Sequence, residues 1–207
     1  MRVACDIDNV ICDILCSARR ALSADLGVPV AEIADTGIYY APFSHPGTDA
    51  GRPIRLQHSF WSRRDVLEGA PPLPGAVAAM NRLHAAGMLA GYVTRRPDAD
   101  RPVTAEWMSV HGFPSVPLRL VGTTDPMTTF AACKSSVCRD LGASHLIDDH
   151  ADEVATAHSA GVSVIVVDAF IGRARRHEML ARHPHVPLAQ DVAHAVDIIM
   201  DLARKAA

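Results

Sequence analysis

Two aspartates, Asp6 and Asp8, close the first apolar run of the chain, in the stretch CDIDNV from Cys5 to Val10. A strand entering a protein interior does not end on two carboxylates without compensation, because an unpaired buried charge is costly. A later apolar run ends in LIDDHADE, which offers Asp148, Asp149 and Asp152. Between these acidic groups lie Thr94, Arg95 and Arg96 in YVTRR, and Lys134 in AACKSSVCRDLG. Two acidic clusters, a hydroxyl and a lysine meet the needs of phosphoryl transfer from a monoester. A carboxylate can serve as nucleophile. A second carboxylate two residues on, pointing the same way along an extended backbone, can protonate the leaving alcohol and later activate water. Magnesium prefers carboxylate and carbonyl oxygens and would neutralise the crowded acids. Lys134 and Thr94 would hold the transferring oxygens, and an arginine of the pair after Thr94 either forks onto a phosphate or stands in water before Pro97.

These residues act together only if the fold gathers them. Five short apolar runs, Val3 to Ile7, Leu89 to Val93, Leu118 to Val121, Ser144 to Ile147 and Val162 to Val167, read as strands buried on both faces. Helical patterns separate them. Pro74 and Gly75 lead into AVAAMNRLHAAG, which Gly87 stops; Asp125 and Pro126 open a helix that ends at Gly142. The last segment places Val192, Val196, Ile199 and Leu202 on one stripe. Strands alternating with helices predict a parallel α/β sheet of Rossmann-like type. Its ligands bind beyond the carboxyl ends of the strands, where the acids, Thr94 and Lys134 fall. One interval breaks the rhythm: from Asp8 to Met88 the chain is far longer than one crossover needs. Ile11 to Leu26 and the stretch around Leu56 to Leu67 read as helical, so a small helical cap inserted after the first strand is expected. The core is then residues 1–10 and 73–207, and the cap is 11–72. No periodicity marks Ile33 to Arg52.

With its four motifs in order, the chain resembles the haloacid dehalogenase (HAD) superfamily of phosphohydrolases. They are DxDxV at Asp6 to Val10, a strand-terminal Thr94, a helical Lys134 and the pair Asp148-Asp149. Within the superfamily it is most similar to the 5'-nucleotidase or deoxyribonucleotidase-like group, through APPLPGAVAAMNRL, VTRRP and LIDDHADEV. The resemblance implies Asp6 as nucleophile and Asp8 as general acid and base. It implies Thr94 and Lys134 as phosphate ligands; Arg95, from the arginine pair itself, is expected to join them. Mg²⁺ would be held by Asp6, the Asp8 carbonyl and one of Asp148 and Asp149. Dehalogenating relatives lack an acid at the Asp8 position, so phosphate esters are favoured over haloacids. The expected substrate is a small monoester, a nucleoside or deoxynucleoside monophosphate first; a sugar phosphate, a polynucleotide phosphate end, or a binding module with little turnover are the alternatives.

Bulk properties bound these readings. The chain has 207 residues, 49% hydrophobic and 21% charged, enough for one large domain or a domain with a sizeable insertion. A net charge of -3 disfavours a sequence-independent nucleic-acid partner. No run of about 20 apolar residues predicts a membrane span, and a cytoplasmic location is expected. The five cysteines lack CxxC spacing and read as reduced thiols, and the eleven histidines as surface or core residues. Asp148-Asp149 also suits a helix cap, and Asp152 a first-turn acid. Tyr39, Tyr40, Phe43, Phe60 and Trp61, with Arg52, Arg55, Arg63 and Arg64, could clamp a base and its phosphate, or simply build the core and rim of the cap.

Overall fold

A computed structural model describes residues 1–33, 58–122, 133–150, 152–168 and 173–206. The first apolar run forms β1 (Val3–Cys5), and the others form β2 (Leu89–Pro97), β3 (Leu118–Gly122), β4 (His145–Asp148) and β5 (Ser163–Val167). A sixth strand, β6 (Leu188–Ala189), is too short to leave a periodic signal in the sequence. All neighbouring pairs are parallel, in the order β3-β2-β1-β4-β5-β6. This is a Rossmann-type order, and its direction reverses between β1 and β4, the point at which such sheets bind ligands beyond the carboxyl ends of their strands.

Alternation along the strands builds two apolar layers. Val3, Cys5, Tyr92, Ile147, Ile165 and Val167 face one layer with Met80, Leu83, Trp107, Val196 and Ile199. Ala4, Val93, Val121, Leu146, Val164 and Val166 face the other with Cys138, Leu141, Val154, Ala157 and Met179. The helices supplying these residues are α4 (Ala76–Ala85), α5 (Arg101–Val110), α6 (Lys134–Asp140), α7 (Asp152–Ser159), α8 (Arg173–Arg182) and α9 (Val192–Ala206). As expected, α4 stops before Gly87, which takes the left-handed conformation at φ 68°. On α9, Val192, Val196 and Ile199 are buried, whereas Leu202 at the end of the stripe is exposed.

The insertion contributes α1 (Ile14–Leu26), α2 (His58–Trp61) and α3 (Arg64–Glu68). α1 starts three residues later than its apolar pattern, because Asp13 caps it by accepting a hydrogen bond from the Cys16 amide at 3.0 Å. The second expected helix breaks into α2 and α3 at Arg63, an extended residue whose guanidinium pairs with Asp25 and Asp65 and covers the Phe60 ring at 5.2 Å. Phe60 and Trp61 meet edge to face at 5.7 Å and pack on Leu22 and Ile33. They therefore build a small apolar cluster, with Arg63 at its rim. Ala18, Val66 and Leu67 continue the layer of Val3 and Ile147, so α1 and α3 pack into the same core as the sheet. Tyr39, Tyr40, Phe43, Arg52, Arg55 and the helix start at Asp125-Pro126 lie outside the described residues.

Candidate active site

The strand β1 ends at Cys5, two residues sooner than its hydrophobicity implies, and the reason is the loop that follows. The Ile7 carbonyl accepts hydrogen bonds from the amides of Val10, Ile11 and Cys12, so this backbone is folded on itself and unavailable to the sheet. Asn9 turns the loop with φ 61°, a conformation that its short polar side chain tolerates. Its side-chain amide donates to Asp149 Oδ2 at 3.3 Å and so ties the first acidic loop to the second. On the other side of the switch point, Asp148 closes β4 and accepts from the His150 amide at 2.9 Å.

Asp6, Asp148 and Asp149 are all buried, and each places a carboxylate oxygen within 4.8 Å of the other two. Lys134, on the first turn of α6 and 3% exposed, donates at 2.8 Å to Asp148 Oδ2 and forms an ion pair with Asp6 Oδ2 at 2.8 Å. One ammonium thus faces three carboxyl groups. Burial pushes the Asp6 carboxyl well above its ordinary range, with Lys134 opposing and the neighbouring aspartates adding to the rise. Burial, then Asp148, pushes Asp149 up to about 7 against the pull of Lys134 and Asn9. Burial alone would lower the Lys134 ammonium, but Asp148 and Asp6 outweigh it and hold it above its ordinary value. The other oxygen of Asp6, Oδ1, is buried without a hydrogen-bond partner among the described residues. A surplus of buried carboxylate oxygens with one unpaired is the donor set that a hard divalent cation fits. Asp6, Asp148 and Asp149 could hold Mg²⁺ on that ground.

The remaining expected residues are gathered at the same strand ends but hold different partners. Thr94, fully buried on β2, donates to Asp8 Oδ2 at 3.4 Å. Arg95 bonds Glu153 Oε1, its Nε at 3.0 Å, and Glu153 is itself buried at the start of α7. Arg96 grips the Asp8 carboxylate with two nitrogens. Lys134, Thr94 and Arg95 each satisfy a carboxylate. Arg95 is the arginine expected at the phosphate, and the two-residue alternation of a strand separates it from its neighbour: Arg96 lies on the buried face with Thr94, and Arg95 on the partly exposed face. Type and spacing do not single out Asn9 and Glu153, because their partners are remote in the chain.

No family model matches the chain, and no curated protein matches its sequence. Solved structures do match over nearly the whole length. The D,D-heptose 1,7-bisphosphate phosphatase from B. bronchiseptica, complexed with magnesium and phosphate, superposes with a TM-score of 0.56 at 12% identity, covering 97% of this chain and 99% of that one. A HAD family hydrolase from Deinococcus radiodurans R1, with bound phosphate and sodium, gives 0.57 at 16% identity over 93% and 91%. An L-2-haloacid dehalogenase gives 0.58 at 14% identity over 96% and 98%. The protein therefore has the HAD-type Rossmann-like fold. At such identities the likeness concerns the fold, and the chemistry must be argued from the residues. No helix among the described residues is long and apolar enough to cross a membrane.

Proposed function

We propose that this protein is a Mg²⁺-dependent phosphatase that hydrolyses a small phosphate monoester through an aspartyl-phosphate on Asp6. The observation that carries the reading is the buried cluster of Asp6, Asp148 and Asp149 around Lys134 at the sheet's switch point. Asp6 is the nucleophile: a carboxylate oxygen forms a bond to phosphorus as the bond from phosphorus to the ester oxygen breaks. Asp8 in its acid form gives its proton to that departing oxygen, which leaves as an alcohol. Water then attacks phosphorus while the Asp8 carboxylate takes its proton, the bond to Asp6 breaks, and phosphate is released with both aspartates restored. Lys134 balances the charge of the nucleophile and its neighbours, and Thr94 and Arg95 stand ready to turn toward the transferring oxygens. Asp6, Asp148, Asp149 and the Asp8 carbonyl would hold Mg²⁺, which supplies electrostatic stabilisation of the charge on the transferring group.

The insertion of residues 11–72 acts as a cap over this site, excluding water and selecting the leaving group. A nucleoside or deoxynucleoside monophosphate is the favoured substrate, on the sequence resemblance of APPLPGAVAAMNRL, VTRRP and LIDDHADEV alone. The test is phosphate release from nucleoside 5'- and 3'-monophosphates and sugar phosphates, with and without Mg²⁺, for wild type beside Asp6→Asn. Release that requires both the metal and Asp6 supports the mechanism, and the substrate ranking decides the leaving group. Equal release by Asp6→Asn, or binding of Mg²⁺ with no hydrolysis of any monoester, would overturn the reading.

A further inference from the structure

A buried arginine beside the site has a role that the phosphoryl chemistry leaves unassigned. Arg96 is 5% exposed and sits two residues beyond Thr94 on the same face of β2. Its Nε donates to Asp8 Oδ2 at 3.1 Å, and its Nη2 donates to Asp8 Oδ1 at 2.7 Å. Its Nη1 donates to Thr104 Oγ1 at 3.0 Å, and Nη2 lies 3.5 Å from Cys12 Sγ. Thr104 is fully buried on α5, and Cys12 is fully buried at the end of the catalytic loop. The guanidinium is therefore held by two buried groups besides the carboxylate.

Two parallel bonds between two planar groups set both a distance and a plane. Asp8 stands on a loop and is the more exposed of the two partners, its side chain 21% accessible against 4% for Arg96. Left alone, a carboxylate so placed would sample several rotamers and spend part of its time turned from the ester oxygen. The fork, with Thr94 on Oδ2, removes that freedom.

We propose that Arg96 is a positioning residue for proton transfer: it sets the plane of the Asp8 carboxylate, and through it the delivery of a proton to the leaving oxygen. This rests on the phosphatase reading above. The consequence depends on the leaving group. Attack by Asp6 on phosphorus needs no proton from Asp8, and a nitrophenolate departs as a stable anion without one. An alkyl alcohol leaves only as its oxygen gains the proton. Loss of the fork must therefore harm alkyl esters far more than aryl esters, whereas a fault in folding would harm both alike.

The experiment compares wild type, Arg96→Lys and Thr104→Val on an alkyl phosphate and on p-nitrophenyl phosphate with Mg²⁺. Values of kcat/KM are used because they report only on steps up to departure of the alcohol. Arg96→Lys keeps the charge but loses the fork. The expected fall is about 10- to 100-fold for the alkyl ester, part of the about 10²- to 10⁴-fold that positioned acid-base catalysis supplies, and less than about threefold for the aryl ester. A burst of p-nitrophenol close to one per enzyme should then appear, because Asp8 no longer activates water well in the second step. Thr104→Val, which removes one support of the guanidinium, should shift the alkyl-to-aryl ratio in the same direction by a smaller factor, and it decides the question if Arg96→Lys does not fold. Equal falls on both esters, or an unchanged ratio in both variants, overturns the role of Arg96 while leaving the phosphatase reading intact. A wild type inactive on both esters overturns that reading and this inference with it.

Discussion

Replacing Asp149 by Asn changes a charge but hardly any volume, and its effect on stability can be worked from the site. Burial and Asp148 raise the Asp149 carboxyl from its ordinary 3.8 to about 7. A carboxyl that is a weaker acid folded than unfolded binds its proton more tightly in the native state, so native stability falls as pH rises through the interval between the two values. It is unaffected by this group below about pH 4 and has lost the full amount above about pH 7. At about 1.4 kcal/mol per pH unit the interval corresponds to about 4 kcal/mol, of which about 2 to 3 kcal/mol is lost between pH 5 and pH 7.5. The assay is urea unfolding in EDTA at several pH values from 5 to 8. Wild type should weaken across this range; Asp149→Asn should weaken less and should exceed wild type at pH 7.5. The Asn9 contact with Oδ2 can survive in the variant, since an amide oxygen also accepts. Some slope should remain in the variant, because burial raises Asp6 in the same direction. Adding Mg²⁺ should stabilise wild type most at high pH, where the carboxylates are free of protons, and should stabilise the variant less. A wild type whose metal-free stability is flat or rises from pH 5 to 7.5, with an Asp149→Asn variant no more stable at pH 7.5, would refute the reasoning.

Lys134→Met removes the one ammonium 2.8 Å from both Asp6 and Asp148 and should cost about 3 to 5 kcal/mol at pH 7.5, with a smaller loss at pH 5, as read by urea unfolding without metal. Gly122→Ala would set a Cβ 1.8 Å from the Arg95 carbonyl oxygen at the irregular pairing of β2 with β3; a loss above about 3 kcal/mol, or failure to accumulate as soluble protein, is expected, and wild-type melting would contradict it. Met80→Ala, at a fully buried position on α4, should cost about 2 to 5 kcal/mol. Val110→Ser, at a position 74% exposed, should stay within about 0.5 kcal/mol of wild type in the same unfolding assay.

Much of the site could be read from local signals, because its chemistry sits where apolar runs stop. Asp6 and Asp8 follow β1, Thr94 falls within the end of β2, and Asp148 closes β4; aliphatic residues on both faces mark each of these strands before any partner is known. The stop of α4 at Gly87 and the buried stripe of Val192, Val196 and Ile199 on α9 are local in the same sense. The fate of individual polar groups is not local. Asp6, Lys134 and Asp148 become neighbours only because β1 pairs with β4 and α6 packs beside them, and the energy that selects this arrangement comes from long-range burial. The pairing of Arg96 with Asp8, and of Arg95 with Glu153, depends on which face of β2 meets which helix. Residue types and spacing determined what chemistry this chain could attempt. Strand order and burial decided which oxygen meets which cation, since electrostatic partnerships are set by distance and solvent exclusion, and neither exists until the sheet has formed.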